Sequence, residues 1–257
     1  MSRIFITGST DGLGLMAAEL LLSQRHEVVL HARTTRRAED VRQRVPAASG
    51  TVIGDLSRIS EMEAVADQAN RHGPFDAVIH NVGIGYREPN RIETEDGLPH
   101  VFAVNVMAPY VLTALIERPR RLVYLSSGMH RGTTAALDDI LWKKRRWNGS
   151  QAYAESKLHD VLLAFAIARR WPDVLSNALE PGWVPTRMGG LSAPDDLDQA
   201  HRTQAWLATS DTPGATVSGE YFYHLRPLAP NRETRDHNPQ NRLVEVCAAL
   251  SGIQLPG

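Results

Sequence analysis

A tyrosine and a lysine stand four residues apart in the run Tyr153-Ala154-Glu155-Ser156-Lys157. In an α-helix, residues four apart lie on the same face, one turn from each other. An ammonium group beside a phenol stabilises the phenolate and so lowers the pKa of the tyrosine. Such a tyrosine can donate a proton to a carbonyl oxygen, or accept one from an alcohol in the reverse direction. The pair predicts acid–base chemistry, although this spacing alone is common by chance.

Two serines, Ser126 and Ser127, follow the apolar run Leu122–Leu125, which is typical of a buried strand. In open α/β sheets, ligands bind at the carboxyl ends of the strands. A serine hydroxyl at that place can hydrogen-bond a reacting oxygen. Two turn-forming serines are the plain alternative. Either Ser126 or Ser127 could be the one that faces a substrate.

A glycine-rich turn, Thr7-Gly8-Ser9-Thr10-Asp11-Gly12-Leu13-Gly14, follows the first apolar run and precedes a helix-like stripe. Glycines allow a tight turn and let a pyrophosphate approach the backbone N–H groups of a helix N-terminus. A purely structural turn also uses glycines, so the position between strand and helix carries the prediction. The residues predicted to bind a dinucleotide here are Gly8, Ser9, Thr10, Gly12, Leu13 and Gly14.

The end of the second predicted strand indicates which dinucleotide binds. A site for NAD places a carboxylate there, which accepts hydrogen bonds from the ribose hydroxyls. This chain has Ala32 followed by Arg33 and Thr34, and a guanidinium can bind a 2′-phosphate through paired, charge-assisted hydrogen bonds. We therefore expect NADP(H), bound by Arg33 and Thr34. Two observations oppose this: Asp11 puts a negative charge in the glycine turn, and single arginines are usually surface residues.

Strand-length apolar runs alternate with longer helix-like segments, as in a parallel sheet covered on both faces. The sequence predicts an α/β fold: a single domain over residues 1–257 with a doubly wound (Rossmann) parallel sheet of about seven strands and helices on both faces. The predicted strands are Arg3–Thr7, Glu27–His31, Thr51–Ile53, Ala77–His80, Leu122–Ser126, Leu175–Leu179 and Gly219–Phe222. The predicted helices are Gly14–Gln24, Ile59–Asn70, Val101–Ile116 and Tyr153–Arg170.

Two long stretches, residues 128–152 and 187–215, interrupt this alternation. Long loops inside a compact domain usually bind ligands or act as lids, so we expect both to be substrate loops. The first contains the basic run Lys143–Arg146. A nucleic-acid patch and a solvated face are both compatible with that run, and its shortness favours the solvated face.

The composition excludes several classes of protein. The chain has 257 residues, 42% hydrophobic and 22% charged, with a formal net charge of −1. These values are ordinary for a soluble globular protein and provide no field that would gather nucleic acid. The single cysteine, Cys247, can form neither an intramolecular disulfide nor a cysteine-based zinc site, and no metal is predicted. Without a signal-peptide pattern or an apolar run near the roughly 20 residues of a membrane span, a cytoplasmic protein is expected.

Taken in order, these motifs resemble the short-chain dehydrogenase/reductase family over about residues 1–225. The resemblance implies that Tyr153 is the acid–base residue and that Lys157 also holds the nicotinamide ribose. Ser127 matches the family's catalytic serine. Asn105, in Val104-Asn105-Val106, matches a buried asparagine that supports a water-linked proton path to the lysine, although a purely structural role is also open.

Three further segments match cofactor-binding positions of that family. The first, Asp55-Leu56, follows the third predicted strand and matches the position whose aspartate contacts the adenine ring. The second resembles Asn-Ala-Gly with valine in place of alanine, and the third matches the Pro-Gly-x-x-x-Thr segment that binds the nicotinamide carboxamide. The residues so implied are Asp55 and Leu56, then Asn81, Val82 and Gly83, then Pro181, Gly182, Val184 and Thr186.

The resemblance implies an NADP(H)-dependent oxidoreductase that moves a hydride between the nicotinamide and a carbonyl or alcohol carbon. The 26 residues from Ser127 to Tyr153 are about twice the family's usual spacing and resemble the retinol dehydrogenase-like and bacterial ketoreductase branch. That branch implies a small-molecule substrate, a bulky apolar carbonyl compound. Met129, His130, Trp183 and Met188 are candidates to line its pocket, with plain packing as the alternative.

Two other functions agree less well with this sequence. An NADP(H)-sensing binding protein shares the fold but usually lacks the Tyr153/Lys157 pair. A sugar-nucleotide epimerase needs a larger C-terminal domain than residues 223–257 can form. A homo-oligomer is also expected, because it is common in the family and the apolar helices Val101–Ile116 and Tyr153–Arg170 could pair between subunits.

Overall fold

The computed structural model describes all 257 residues, Met1–Gly257, and contains a single eight-stranded sheet. The strands are β1 (Arg3–Ile6), β2 (Glu27–Ala32), β3 (Gly50–Ile53), β4 (Ala77–His80), β5 (Arg121–Leu125), β6 (Leu175–Glu180), β7 (Tyr221–Tyr223) and β8 (Arg226–Pro227). Their order is β3-β2-β1-β4-β5-β6-β7-β8, and every neighbouring pair is parallel except β7 with β8. The predicted doubly wound α/β fold is confirmed.

The helices are α1 (Gly12–Ser23), α2 (Thr35–Arg44), α3 (Ile59–Asn70), α4 (His100–Phe102), α5 (Ala108–Leu115), α6 (Gly149–Arg170), α7 (Leu197–Ala200), α8 (Arg202–Thr209) and α9 (His237–Ser251). A π-helical segment, Ala103–Met107, joins α4 to α5 within the helix predicted over 101–116. Helix α6 begins four residues before the predicted start because the Asn148 side chain accepts from the Gln151 N–H and caps it. None of these helices combines the length and the apolar character that crossing a membrane requires.

The two faces of the sheet carry separate apolar cores. In β1, Ile4 and Ile6 pack in the core that includes α1 and α8, whereas Phe5 packs in the core of α3, α5 and α6. Successive side chains of a strand point to opposite faces, so a run of consecutive apolar residues supplies both cores. The predicted helices on both faces are confirmed.

Strand β1 lies between β2 and β4, so the connections leaving β1 and β4 run in opposite directions. This change of direction opens a crevice at the carboxyl ends of the strands, where open α/β sheets bind ligands. The glycine turn follows β1, Asn81 follows β4, Ser126 follows β5 and Pro181 follows β6. Segments far apart in sequence therefore meet at one edge of the sheet.

The sheet has one strand more than the seven predicted, because β8 forms a hairpin with β7. The two turn residues, His224 and Leu225, have positive φ angles of 45° and 66°. Two-residue hairpin turns need positive φ, which Asn-Gly and similar pairs adopt most readily. The sequence His-Leu provides no such signal, so the strand was missed.

The C-terminal segment forms helix α9, which the sequence analysis did not assign. The Asp236 carboxylate caps its start and Gly252, with φ of 74°, ends it. Its buried residues Leu243, Val244 and Cys247 pack in the core that contains α6. Helix α6 is therefore covered within the same chain over much of its length. The homo-oligomer stays a prediction, and pairing through this face of α6 would require α9 to move.

The basic run of the first long loop is anchored at one point. The Asp139 carboxylate accepts from the backbone N–H groups of Lys143, Lys144 and Arg145. The Arg145 guanidinium donates to the buried carboxylate of Glu155 at 2.7 Å. Lys143 and Lys144 remain exposed, which matches a solvated face.

Candidate active site

A cleft of about 1630 Å³ follows the carboxyl edge of the sheet. Most residues predicted for the cofactor and for catalysis lie on its walls. They are Gly8, Thr10, Gly12, Leu13, Arg33, Asp55, Leu56, Asn81, Val82, Gly83, Ser127, Tyr153, Lys157, Pro181, Gly182, Val184 and Thr186. The fold thus brings these residues to one cleft, and their individual roles stay predictions.

Four predicted residues lie behind or beside the cleft walls: Ser9, Gly14, Thr34 and Asn105. Ser9 is fully buried, and its hydroxyl donates to the Ile6 carbonyl at 2.8 Å. Thr34 caps α2 by accepting from the Arg37 N–H at 3.4 Å. Both side chains hold backbone segments in place, which is a structural contribution.

The glycine turn uses backbone conformations and a close packing that favour glycine. Gly8 and Gly12 have φ angles of 63° and 54°, and a Cβ at Gly12 would face open space. A Cβ on Gly14 would lie 2.4 Å from the Asn81 amide nitrogen, so only glycine allows this close packing. Because the Asp11 side chain does not cap α1, the first N–H groups of that helix remain available to an anion.

His31 supports this turn and was missed by the sequence analysis. Its Nδ1 accepts from the Gly8 N–H at 3.0 Å, and its Nε2 donates to the Gly54 carbonyl at 2.9 Å. Burial lowers the pKa of His31 to about 4, so the ring is neutral and joins the glycine turn to the end of β3. The only signal in the sequence was a polar residue within the apolar strand β2.

Two arginines, Arg33 and Arg37, line the end of the cleft next to the glycine turn. Arg37 forms an ion pair with Asp11 at 2.5 Å, and the Arg187 guanidinium lies 3.9 Å from the same carboxylate. The negative charge of Asp11 is therefore compensated. Asp11 therefore adds no uncompensated negative charge that would repel a phosphate at this end of the cleft.

Tyr153 is nearly buried, with 6% of its surface exposed. The edge of the Tyr86 ring meets it at 5.7 Å between centroids, and the Met188 sulfur lies 3.9 Å from its hydroxyl. Burial raises the pKa of Tyr153, and the Lys157 ammonium and the Ser127 hydroxyl only partly oppose that effect. In this state Tyr153 is a neutral phenol, whereas the spacing alone predicted a lowered pKa.

Lys157 lies at the bottom of the cleft and is held from two sides. Its ammonium donates to the Leu125 carbonyl at 2.7 Å and to the Asp160 carboxylate at 2.8 Å. The ammonium lies 5.9 Å from the centre of the Tyr153 ring. The predicted proximity of the tyrosine and the lysine on one face of α6 is present, with a carboxylate beside the lysine that the sequence analysis did not consider.

The two serines after β5 have different surroundings. The Ser126 hydroxyl is buried and donates to the Lys157 carbonyl at 2.6 Å. Ser127 is half-buried in the cleft wall, next to the Tyr153 hydroxyl. Both serines line the cleft, but the Ser126 hydroxyl is engaged by α6 and Ser127 is the more accessible of the two. The catalytic role of Ser127 stays a prediction.

Asn105 occupies the middle of the π-helical segment and is fully buried. Its amide nitrogen donates to the Ile84 carbonyl and the Ser156 hydroxyl, and its amide oxygen accepts from the Ile84 N–H. It therefore joins the loop after β4 to α6, one residue before Lys157. Single-turn π segments occur often at functional sites, and no sequence pattern predicted this one.

The segment after β6 closes the cleft on the remaining side. Gly182 has φ of 89°, and a Cβ there would lie 2.7 Å from the Asp195 carboxylate, which accepts from the Trp183 N–H at 2.6 Å. The Thr186 hydroxyl accepts from the Gly189 N–H at 3.2 Å. These contacts hold the predicted nicotinamide segment against the start of the second long loop.

Apolar side chains from both long loops, from the segment after β6 and from the residue after β8 line the cleft. Met129, Trp183, Met188 and Leu228 line it and remain between 36% and 54% exposed. His130 does not: it is fully buried, its Nδ1 meets the Ser127 carbonyl at 2.7 Å, and its Nε2 accepts from the Asn231 N–H. Burial lowers the pKa of His130 to about 4, so this residue holds loops together.

Comparisons with known proteins agree with this geometry. The family model for short chain dehydrogenases matches residues 2–196. An uncharacterised oxidoreductase of Emericella nidulans is 42% identical, with all of both chains covered, and a short-chain dehydrogenase of Gibberella zeae is 40% identical over 100% of this chain and 99% of its own. Human retinol dehydrogenase 13 is 28% identical over 98% of this chain and 85% of its own length. This match confirms the predicted resemblance to the retinol dehydrogenase-like branch.

Solved structures show the same architecture. A protein from Mycobacterium paratuberculosis superposes with a TM-score of 0.84 at 25% identity, covering 100% of this chain and 96% of its own. A blue fluorescent protein from a metagenomic library, solved with NADPH, has a TM-score of 0.69 at 20% identity, covering 86% and 95% of the two chains. At that identity the second likeness concerns the fold alone. With a family model that matches about three quarters of its length, this chain belongs to the short-chain dehydrogenase/reductase family of oxidoreductases.

Proposed function

We propose that this chain is an NADP(H)-dependent carbonyl reductase that transfers a hydride between the nicotinamide and a carbonyl or alcohol carbon of a bulky apolar substrate. The observation that carries the proposal is the meeting of Ser127, Tyr153 and Lys157 in a cleft that also contains the uncapped N-terminus of α1. The cleft thus combines groups that can transfer a proton with a helix N-terminus that can bind an anion. This combination fits a reaction on a substrate that lies beside a dinucleotide.

The preference for NADP(H) rests on charge. Arg33 and Arg37 line the cleft where an NAD site has a carboxylate. A guanidinium can bind a 2′-phosphate with paired hydrogen bonds. Arg37 also forms an ion pair with Asp11, which compensates the negative charge of that carboxylate.

The residues of the cleft would act as follows. The Tyr153 hydroxyl donates a proton to the substrate oxygen, and the Ser127 hydroxyl donates a hydrogen bond to that oxygen. The Lys157 ammonium has three N–H donors, of which two are used by Leu125 and Asp160, so one remains for the ribose of the dinucleotide. The cofactor, when bound, supplies the hydride. A positioned acid of this kind contributes typically about 10²–10⁴-fold to the rate.

The substrate class rests on the apolar wall and on both long loops, which we assign as substrate loops. Met129 comes from the first loop, Met188 from the second, and Trp183 from the segment after β6. Methionine side chains adapt to irregular apolar shapes, and binding sites for bulky ligands are mostly apolar with few polar groups. One relative is named for retinol, an apolar alcohol.

The test follows the absorbance of NADPH, and of NADH in parallel, with aldehydes and ketones from small aliphatic to polycyclic aromatic compounds. We expect oxidation of NADPH on the bulky members, and slower oxidation of NADH. If neither cofactor is oxidised by any carbonyl compound while NADPH still binds, the reductase proposal is wrong for this panel and the cofactor-sensing function takes its place.

A further inference from the structure

A buried carboxylate lies next to the active-site lysine. Asp160 follows Lys157 by three residues on α6, and its Oδ2 lies 2.8 Å from the ammonium nitrogen. The two side chains are only 3% and 5% exposed. Two charges buried this deeply are stable only as a pair, so the charge of the lysine cannot be considered apart from that of the aspartate.

Lys157 is the only hydrogen-bond partner of the Asp160 side chain. The second carboxylate oxygen, Oδ1, is buried without a partner. The contacts of Asp160 therefore point toward the lysine and its position.

The other groups around this pair are uncharged. Tyr153 lies on the same helix, Tyr124 faces Asp160 from β5, and Tyr86 faces Tyr153 from the loop after β4. Asn105 reaches the preceding residue of α6 from the π-helical segment with a neutral amide.

On the β7 side, the buried phenol of Tyr221 lies close enough to Tyr153 to interact with it electrostatically. Behind it, Arg131 and Glu180 form an ion pair of their own. Within the site, Asp160 is therefore the one carboxylate that balances Lys157.

We propose that Asp160 is a positioning residue for Lys157: it holds the ammonium against the Leu125 carbonyl and offsets the lysine's positive charge beside the Tyr153 hydroxyl. The inference rests on the proposed reductase function and adds a residue to it. With two N–H groups fixed, the direction of the third is fixed as well. Tyr153 then remains a phenol, the form that donates a proton to a carbonyl oxygen.

The ionisation of the groups agrees with this assignment. Asp160 contributes to the raised pKa of Tyr153, against the lowering by Lys157. Burial raises the pKa of Asp160 itself to about 7, and Lys157 opposes that rise. Above neutral pH Asp160 is negatively charged. The charges of Lys157 and Asp160 therefore cancel in the alkaline pH range in which Tyr153 would lose its proton.

The experiment compares Asp160→Asn with Asp160→Glu and with Asp211→Asn, a matched change at an exposed carboxylate remote from the cleft. The asparagine keeps an oxygen for the lysine and removes the charge. We expect the alkaline limb of kcat/KM for NADPH-dependent reduction to move down by about one pH unit in Asp160→Asn. The glutamate variant should keep the wild-type limb at a reduced rate, and the Asp211 variant should match the wild type.

A second measurement does not depend on turnover. Tyrosinate absorbance of the free protein, with Tyr153→Phe as the blank, reports the ionisation of Tyr153 directly. We expect its transition to lie higher than that of an ordinary tyrosine in the wild type, because burial raises the pKa of Tyr153, and about one unit lower in Asp160→Asn than in the wild type. A wild-type transition clearly below that of an ordinary tyrosine, or an unshifted one in the folded variant, would overturn the proposal. Absence of any carbonyl reduction would instead contradict the proposed function, so the two failures are distinguishable.

Discussion

The floor and the rim of the cleft are built in opposite ways. The floor, formed by Ser126 and Lys157 with Asn105 and Asp160 directly behind them, is at most 4% exposed. The rim, formed by Met129, Trp183, Met188 and Leu228, is 36–54% exposed. Each floor side chain has a buried hydrogen-bond partner, whereas the rim presents apolar surface to the solvent.

This difference separates two tasks. Buried, mutually bonded polar groups hold one geometry, and such preorganisation stabilises the charge that develops during a reaction. Exposed methionine and tryptophan side chains can rearrange around ligands of different shape. We therefore expect changes at the floor to alter the rate, and changes at the rim to alter mainly the KM for the substrate.

The strongest test of this separation is Tyr153→Phe, since Tyr153 stands where floor and rim meet. Removing its hydroxyl removes the proton donor, and we expect kcat to fall by about 10²–10⁴-fold with little change in NADPH affinity. Single-turnover kinetics and NADPH fluorescence titration measure the two quantities. Tyr86→Phe, which removes a hydroxyl from the same cleft, should retain most of the activity; near wild-type turnover in Tyr153→Phe would contradict the mechanism.

A smaller effect is expected at the cofactor end of the cleft. In Arg33→Ala we expect the KM for NADPH to rise by about tenfold or more, because hydrogen bonds to charged groups contribute about 1.5–3 kcal/mol. The KM for NADH should change little, since NADH lacks the 2′-phosphate. Arg36→Ala, an exposed arginine outside the cleft lining, serves as the control. An equal rise of the KM for NADPH and for NADH would show that Arg33 does not bind the 2′-phosphate.

The smallest effect is expected at the rim. Trp183→Ala shortens the apolar wall, and we expect the KM for a polycyclic ketone to rise several-fold while kcat stays within about twofold. Small aliphatic carbonyl compounds should be affected less. Leu191→Ala changes an apolar residue that is 99% exposed and does not line the cleft, and it should leave both constants unchanged. A large fall in kcat for Trp183→Ala would mean that rim and floor are coupled.

Local patterns were sufficient for the seven parallel strands of the sheet and for most of the cleft. Alternation of apolar runs predicted the helices on both faces, and α3 has the predicted bounds. The spacing Tyr153-x-x-x-Lys157 predicted the proximity of the two side chains because helical geometry alone sets it. The hairpin strand β8 and the helix α9 were missed, the first because its turn residues are unusual and the second because its apolar stripe begins only at Leu243, after six residues without a core side chain other than Gln240.

The amino-acid order was enough to place the glycine turn, the serines and the Tyr/Lys pair at strand ends and on one helix, since each depends on residues close in the chain. Tertiary structure alone decided that the Lys157–Asp160 pair is buried in a dry interior, that His31 reaches back to Gly8, and that Asn105 lies in a π turn. It also decided that the pKa of Tyr153 is raised. These properties depend on burial and on partners from distant segments, and neither desolvation nor a long-range hydrogen bond has a signature in local spacing.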